Sequence, residues 1–363
     1  MIPLTATIFV TDKCNLACSY CYEPNKEYSD ITKEYIFQFI QLLYDTPEYS
    51  AREKITLDFI GGEPLLVPHL IEYSIDTFFA EGQKRKHPWI KCGNFIIFAT
   101  TNGTLFGEAA VKKLIEKYPC LQFGISLDGD KESHDKNRKY LNGQGSYDKI
   151  MENFEWWKNK YKQLLVKGTL SHNNLGNVTN MLYHQVELGL HQPWANPVYE
   201  EVWTQEDAAV YKQQLEQFLN KIMEQDLELV TSIQGLCRKK NNSSREENYC
   251  GTGKYMVTLG LDGKLYPCHR FATNSHKYPI GNVDTGLDKK ALVYLLKEMK
   301  KIECSDCKQN GSCPVCYASF YDIHGGNFAP VTNVCAMVKV EMEMMQYFVQ
   351  KVLEKSYSVI EWR

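Results

Sequence analysis

The sequence lacks both a long hydrophobic run and a strong charge of either sign. No uninterrupted apolar stretch approaches the roughly 20 residues that a membrane-spanning helix needs, so we expect no membrane association. Lys and Arg together number 41 and Asp and Glu 44, for a net charge of −3, and this balance gives no reason to expect nucleic acid as a partner. No internal repeat or low-complexity tract is present. These absences leave a globular protein of 363 residues, long enough for one large domain or two ordinary ones.

Cysteine is the residue type whose distribution is unusual. Thirteen cysteines in 363 residues is about 4%, well below the density of a disulfide-stapled scaffold. Three lie between residues 14 and 21 and eight between residues 237 and 335, while Cys92 and Cys120 stand alone. Clustered cysteines without a secretory signal are more typical of metal binding than of disulfides. We therefore expect a cytoplasmic metalloprotein, with Cys92 and Cys120 as buried free thiols.

Short β-rich runs alternate with amphipathic stretches from the N-terminus to about residue 225. Six such β-then-α units predict an α/β fold with a parallel sheet and outer helices. Periodicity alone allows either an open partial barrel or a doubly wound sheet. The expected strands are Thr5–Val10, Lys54–Ile60, Phe95–Thr100, Leu121–Ser126, Leu164–Leu170 and Trp194–Val198. The expected helices are Thr32–Tyr44, Pro68–Gln83, Phe106–Tyr118, Ser146–Lys160, Leu175–Gly189 and Gln205–Gln225.

The alternation stops in the last third of the chain. Residues 239–248 are polar and turn-prone, which indicates a linker or surface loop. Beyond them, Asp262-Gly263 between two short β-rich runs predicts a hairpin turn. Apolar residues at helical spacing over Ala336–Glu354 predict a final helix that packs by ordinary hydrophobic contact.

The first cysteine group, Cys14, Cys18 and Cys21, directly follows the first expected strand. Three thiolates on one tight loop can hold three corners of an iron–sulfur cube and leave the fourth iron without a protein ligand. An open coordination position lets a metal site bind a small molecule. The alternative is a zinc knuckle with a distant fourth ligand, but structural zinc usually presents two nearby cysteine pairs. The spacing therefore favours a cluster with one open iron.

The Cx3CxYC loop resembles the signature of radical S-adenosylmethionine (SAM) enzymes, and further motifs of that family follow in order. The resemblance implies a partial (β/α)6 TIM-like barrel with SAM bound at the ends of its strands, where parallel sheets place their sites. The further motifs are Gly61-Gly62-Glu63-Pro64, Thr101-Asn102-Gly103, Ser126-Leu127-Asp128-Gly129, His134-Asp135 and Arg138.

The resemblance also implies roles for these side chains. Glu63 would meet the amino group of SAM, Tyr20 would lie near its adenine, and Ser126 and Arg138 would contact its carboxylate and ribose. Glycines before the carboxylate would let the backbone approach a ligand. The SAM-binding residues implied in this way are Tyr20, Gly61, Gly62, Glu63, Ser126, Asp128 and Arg138, and the ligands of the SAM-binding cluster are Cys14, Cys18 and Cys21.

The later cysteines include two pairs that are spaced like the knuckles of a zinc ribbon, so spacing alone leaves zinc and iron–sulfur open. Their order resembles the SPASM domain appended to radical SAM enzymes, apart from two rather than three residues between Cys313 and Cys316. The resemblance implies two auxiliary [4Fe–4S] clusters, hence three in all. The implied ligands are Cys250, Cys268 and Cys316 for the first auxiliary cluster and Cys304, Cys307, Cys313 and Cys335 for the second.

The first auxiliary set is one ligand short. Cys237 is the nearest upstream cysteine. Either Cys237 completes the set, which we favour, or the cluster keeps an open iron that can bind substrate.

The implied organisation is a radical SAM domain over residues 1–235, a SPASM domain over 236–335 and a C-terminal helix over 336–363. Enzymes of this kind generate a 5′-deoxyadenosyl radical that abstracts hydrogen, and they need an external electron donor of the flavodoxin or ferredoxin type. We expect an oxidoreductase that acts on a ribosomally made precursor peptide and installs a crosslink, with a thioether as the first candidate. The alternatives are an anaerobic sulfatase-maturing enzyme that forms formylglycine and a non-catalytic iron–sulfur or zinc protein.

His269, directly after Cys268, bears on the choice between the two enzymes. In sulfatase-maturing members the residue at this place is an Asp that serves as a base, whereas the Pro-Cys-His sequence here resembles peptide-crosslinking members. His269 is therefore the candidate catalytic residue. Its imidazole could act as a base, donate to a cluster sulfur, or simply lie on the surface.

Overall fold

The computed structural model describes residues 3–23, 26–161, 165–190, 193–225, 250–300, 316–329 and 332–360. Within them, eight strands form one sheet and two more form a small antiparallel pair. The strands are β1 (Leu4–Thr11), β2 (Ile55–Gly61), β3 (Phe95–Thr101), β4 (Leu121–Ser126), β5 (Leu165–Leu170), β6 (Ala195–Pro197), β7 (Met256–Leu259), β8 (Leu265–Tyr266), β9 (Gly281–Asn282) and β10 (Gly286–Leu287).

The first six strands confirm the predicted β/α alternation. Each pairs in parallel with the next one along the chain, from β1 to β6. A doubly wound sheet would reverse its strand order at a switch point, and this order does not reverse. The sheet curls around a central cavity, because side chains from five successive strands line it: Asp58, Thr100, Ser126, Lys167 and Asn196. The open-barrel alternative is therefore the correct one.

The helices between these strands lie close to their expected positions. Thr32 accepts a hydrogen bond from the backbone N–H of Tyr35 and so caps the first helix as expected. The helices are α1 (Lys33–Asp45), α2 (Pro47–Ser50), α3 (Pro68–Lys84), α4 (Pro88–Lys91), α5 (Ala109–Lys117), α6 (Lys131–Asn137), α7 (Tyr147–Lys160), α8 (Val178–Glu187), α9 (Gln205–Gln225), α10 (His269–Thr273), α11 (Lys289–Lys300), α12 (Tyr317–Ile323) and α13 (Cys335–Ile360). None of the described helices is both long and apolar enough to span a membrane.

The sheet is wider than the sequence predicts, because the cysteine-rich segment adds two strands to it. β7 pairs in parallel with β1, and β8 pairs antiparallel with β7. The predicted hairpin is confirmed, with Gly263 at a φ of 74° that favours glycine. Without β7 the open edge of β1 would present unpaired backbone groups. The expected linker at 239–248 and the expected domain boundary near residue 235 lie outside the described residues.

The predicted C-terminal helix is present as α13, and it packs on the barrel rather than standing apart. It shares a second hydrophobic core with α8 and α9, to which Met337, Phe348, Tyr211 and Phe218 contribute fully buried side chains. The Tyr211 hydroxyl also donates to a carboxylate oxygen of Glu341 on α13, at 3.3 Å. The sixth β/α unit is thus covered by the end of the chain.

Replacing Phe348 by Ala should lower the free energy of unfolding by about 3–5 kcal/mol, because it leaves a cavity where a ring is now 1% exposed. Leu353→Ala on the same helix is the matched control, since that side chain is 42% exposed and should change stability by less than about 0.5 kcal/mol. Urea denaturation followed by circular dichroism measures both. Equal effects of the two substitutions would contradict the packing described for α13.

Candidate active site

A cavity of about 270 Å³ opens at the C-terminal ends of the parallel strands. All three cysteines of the first group line it, as do Glu63 and Arg138. Glu63 lies 42 residues and Arg138 117 residues beyond Cys21, so the barrel brings together the motifs that the sequence predicted to cooperate. The cavity is therefore the candidate active site.

The cysteine loop is held against the barrel by the end of α6 and the residues that follow it. The backbone N–H of Ala17 donates to the carbonyl of Lys139 at 2.7 Å, and that of Ser19 donates to the carbonyl of Asn137 at 3.0 Å. The Ser19 hydroxyl also donates to the Asn137 side chain at 2.7 Å. These bonds fix the loop backbone between its cysteines, so the position of the thiols depends on a segment more than 100 residues away.

The three thiols form part of one wall and influence one another. Burial raises the pKa of Cys14 to about 11, and the Cys18 thiol adds to the rise while Lys26 opposes it. Burial likewise raises the pKa of Cys18, with a contribution from Cys21. No three metal-binding side chains among the described residues converge on a single ion, but a cubane offers its irons at separate corners. Three neighbouring thiols beside a lysine fit an anionic iron–sulfur cluster.

The two glycines of the Gly-Gly-Glu motif let the start of the cysteine loop pass close to the end of β2. A Cβ atom on Gly61 would lie 2.3 Å from the carbonyl oxygen of Thr11, and one on Gly62 would lie 2.4 Å from that of Lys13. The N–H groups of Gly62 and Glu63 donate to the same two oxygens, each at 2.8 Å. The sequence suggested that these glycines make room for a ligand; here the space beside them holds the chain's own backbone.

Glu63 is fully buried and accepts three hydrogen bonds. The donors are the N–H of Leu65 at 3.0 Å, the hydroxyl of Thr101 at 2.7 Å and the N–H of Asn102 at 2.7 Å. Burial nevertheless raises the pKa of Glu63 to about 7. An ionised carboxylate can accept about four hydrogen bonds, so one acceptor site remains for an ammonium group.

Asp128 lies behind the cavity wall and orients two side chains that form it. Its carboxylate accepts from the Tyr20 hydroxyl and, at 2.8 Å, from the backbone N–H of Thr169. The Nε atom of Arg138 lies 3.1 Å from the same carboxylate, and the Arg138 guanidinium lies 5.3 Å from the centre of the Tyr20 ring. Tyr20, Ser126 and Arg138 line the cavity, whereas Asp128 does not. Asp128 is therefore placed to hold Tyr20 and Arg138 rather than to contact a ligand itself.

Three later cysteines are neighbours, in the grouping that the sequence predicted for the first auxiliary cluster. Burial raises the pKa of Cys268 to about 12, and the nearby thiols of Cys316 and Cys250 add to the rise. Cys335 is the first residue of α13. The remaining predicted ligands lie outside the described residues: Cys237, Cys304, Cys307 and Cys313.

The prediction that Cys92 and Cys120 are buried is wrong, because both are exposed. Cys92 directly follows the one-turn helix α4, and Cys120 directly precedes β4. Each lies in a turn that leads into a strand, where the chain runs over the surface.

His269 lines the cavity rather than the outer surface. It is the first residue of α10, and its Nδ1 atom is buried without a hydrogen-bond partner among the described residues. Burial lowers the pKa of His269 to about 3, and the positive charges of Lys167 and Arg270 lower it further. The imidazole is therefore neutral at physiological pH.

The sequence motifs did not identify several charged residues of the cavity, among them Glu23 and Lys26 beside the cysteine loop. Two others, Asp58 on β2 and Lys167 on β5, point into the barrel. The signal that could have found them is weak: each is a charged residue within an otherwise apolar or small-residue strand, in LDFIG and VKGTL.

Sequence comparison connects this cavity to known proteins. The profile of the radical SAM superfamily matches residues 8–171. A cysteine-type anaerobic sulfatase-maturating enzyme of Clostridium novyi is 33% identical over 160 residues, which cover 42% of this chain and 39% of the relative. An uncharacterized protein of Methanocaldococcus jannaschii is 34% identical over 137 residues, 38% of this chain and 42% of the relative. These matches span about two fifths of each relative's length.

Solved structures share the fold over a larger part of the chain. Native anSMEcpe with bound AdoMet has a TM-score of 0.71 at 21% identity, covering 98% of this chain and 100% of that one. Streptococcus suis SuiB bound to precursor peptide SuiA has a TM-score of 0.58 at 16% identity, covering 91% of this chain and 75% of that one. At these identities the likeness shows the fold alone. The profile match places a radical SAM domain at residues 8–171, and the cysteine loop and strands β2 to β5 of the parallel barrel lie in that part of the chain.

Proposed function

We propose that this protein is a radical SAM peptide maturase that abstracts hydrogen from a precursor peptide and installs a crosslink, with a thioether as the first candidate. The observation that supports it most strongly is the single cavity that unites the cysteine loop, the carboxylate of Glu63 and the side chain that follows the auxiliary cysteine, His269. Radical SAM enzymes use SAM and a [4Fe–4S] cluster. SAM bound at such a cluster supplies a 5′-deoxyadenosyl radical.

The cavity offers a partner for each part of SAM. Cys14, Cys18 and Cys21 would hold the cluster, and the remaining acceptor site of Glu63 would receive the amino group. Tyr20 would lie at the adenine, and Arg138 with Ser126 would receive the carboxylate and ribose, as Asp128 orients Tyr20 and Arg138. Gly61 and Gly62 act indirectly, because they fix the cysteine loop beside Glu63.

A peptide substrate is supported by the structures that share the fold. One is anSMEcpe with AdoMet and the Cp18Cys peptide, and another is SuiB with its precursor peptide. We propose three parts for this chain: a radical SAM domain over residues 1–235, a SPASM domain over 236–335 and a C-terminal helix over 336–363. The SPASM domain would carry two auxiliary clusters, with Cys237 completing the first. A ferredoxin or flavodoxin would deliver the electrons.

Sulfatase maturation is the second candidate, because curated relatives of the radical SAM domain are sulfatase-maturating enzymes. For a sulfatase-maturing enzyme, the resemblance calls for an aspartate directly after Cys268. This chain has His269 there, beside the cationic side chains of Lys167 and Arg270. The difference favours crosslinking. Mass spectrometry of treated peptides separates the two reactions. Thioether formation removes two hydrogens and retains sulfur, whereas formylglycine formation from cysteine replaces sulfur with oxygen.

Replacing Cys14, Cys18 and Cys21 together by Ala should abolish formation of 5′-deoxyadenosine from SAM under reducing anaerobic conditions. Three cubane clusters correspond to about 12 irons, and the variant should keep about 8 of them. Cys92→Ala with Cys120→Ala is the matched control, since both thiols are exposed and away from the cavity. SAM cleavage by the triple variant, or a wild-type protein that binds zinc and no iron, would refute the proposal.

SAM should bind about tenfold more tightly at pH 8 than at pH 6. With a pKa of about 7 for Glu63, the ionised fraction of the carboxyl group rises from about one tenth to about nine tenths between these pH values. Only the ionised carboxylate, which predominates above that pKa, attracts an ammonium group. Anaerobic calorimetry at the two pH values measures the effect. Glu63→Gln should bind SAM weakly at both values, and a variant that kept the full pH dependence would place the amino group elsewhere.

A further inference from the structure

The cavity contains a carboxylate and an ammonium group that the SAM-binding motifs do not use. Asp58 projects from β2, two residues before Ile60, and Lys167 projects from β5, in register with Ser126. Both side chains line the cavity in which SAM would bind, and they lie within electrostatic reach of one another.

Neither group has a full set of partners among the described residues. Asp58 accepts one long hydrogen bond, from the Thr7 hydroxyl at 3.3 Å, and its other carboxylate oxygen is buried without a partner among the described residues. Within that same part of the chain, no hydrogen bond or ion pair engages the Lys167 ammonium group, and the Asp58 carboxylate is too far away to pair with it. Unpaired charges in a low-dielectric site are costly, so such groups are typical of sites that await a ligand.

Two arginines of the cavity already have partners. Arg138 pairs with Asp128 at 3.1 Å, and Arg270 forms an ion pair with Glu200. Glu23 and Lys26 line the cavity beside the cysteine loop, whereas Asp58 and Lys167 are the charged groups that project from the strands themselves. Burial raises the pKa of Asp58 to about 7, with Lys167 opposing the rise. A carboxyl group that titrates near the working pH is matched to proton transfer.

We propose that Asp58 is the base that takes the proton from the cysteine thiol of the substrate peptide, and that Lys167 holds the resulting thiolate. The S–H bond breaks, the proton passes to the Asp58 carboxylate and the electron pair stays on sulfur, so nothing is oxidised in this step. The inference rests on the proposed function, because it presumes a cysteine-bearing peptide. It applies equally to thioether formation and to formylglycine formation from cysteine.

This assignment gives the chain a base although His269 stands where the resemblance expects an aspartate. His269 lies beside Lys167 and Arg270, so a proton on its imidazole would create a third neighbouring cation. Asp58 instead becomes neutral when it accepts a proton, next to a lysine that then compensates the thiolate.

The test is infrared spectroscopy of the anaerobic, SAM-loaded holoenzyme with N-acetyl-L-cysteine methylamide as the probe at pH 7. The S–H stretch lies in a window free of protein bands, and it disappears when the thiol is deprotonated. The wild type should convert bound probe to thiolate. Asp58→Asn should lower the thiolate-to-thiol ratio at least about tenfold, the effect of one pKa unit, and Lys167→Met should lower it as well. Asp76→Asn, a surface carboxylate paired with Lys117, is the matched control and should behave as wild type.

Several results would overturn the assignment. One is that the wild type binds the probe but its S–H band persists, and another is that the wild type does not bind the probe. A third is that the band disappears from Asp58→Asn to the same extent as from the wild type, as it would if the sulfur bound to iron. Loss of thiolate in His269→Gln but not in Asp58→Asn would make His269 the base. With the precursor peptide, Asp58→Asn should still form 5′-deoxyadenosine while product falls about 100-fold or more. If the wild type forms no 5′-deoxyadenosine, the proposed function is refuted. The infrared measurement then still tests the role of Asp58, because it does not depend on SAM cleavage.

Discussion

The rest of the site depends on the close contact between the start of the cysteine loop and the end of β2. Two backbone hydrogen bonds of 2.8 Å join Thr11 and Lys13 to Gly62 and Glu63. The two backbones lie so close that neither Gly61 nor Gly62 could carry a side chain. This contact sets the distance between the thiols and the Glu63 carboxylate. It is also short-range and directional, so the two motifs cannot drift relative to one another. The glycines therefore act through geometry, and the carboxylate beside them acts through charge.

The charged groups around the cavity fall into two sets. In the first set the groups are paired or hydrogen-bonded: Arg138 with Asp128, and Glu63 with three donors. In the second set, Asp58 and Lys167 lack such partners among the described residues. Paired groups need little reorganisation when a ligand with fixed chemistry binds. Unpaired groups are suited to a ligand group whose charge changes during the reaction. The division between a fixed cofactor and a reacting substrate thus follows which charged groups the protein already pairs.

Much of the fold and part of the site could be predicted from the sequence. Strand and helix periodicity located the six β/α units, and the spacing of Cys14, Cys18 and Cys21 identified the loop, because both signals are local. What the sequence could not supply depends on tertiary packing. The pairing of β7 with β1 joins residues about 250 positions apart, and the inward direction of Asp58 and Lys167 follows from the register of a curled sheet. The exposure of Cys92 and Cys120 likewise depends on where two turns meet the surface.

The parallel pairing of β7 with β1 has a consequence for how the chain folds. β1 is synthesised long before β7, so its outer edge stays open until residues 256–259 are available. An uncovered edge strand can pair with other chains, and contacts of such large sequence separation form slowly. The strand that carries the cysteine loop is therefore completed late, so the nascent barrel passes through a stage in which its edge is open to aggregation. The segment that contains β7, in addition to any part it takes in the chemistry, covers that edge.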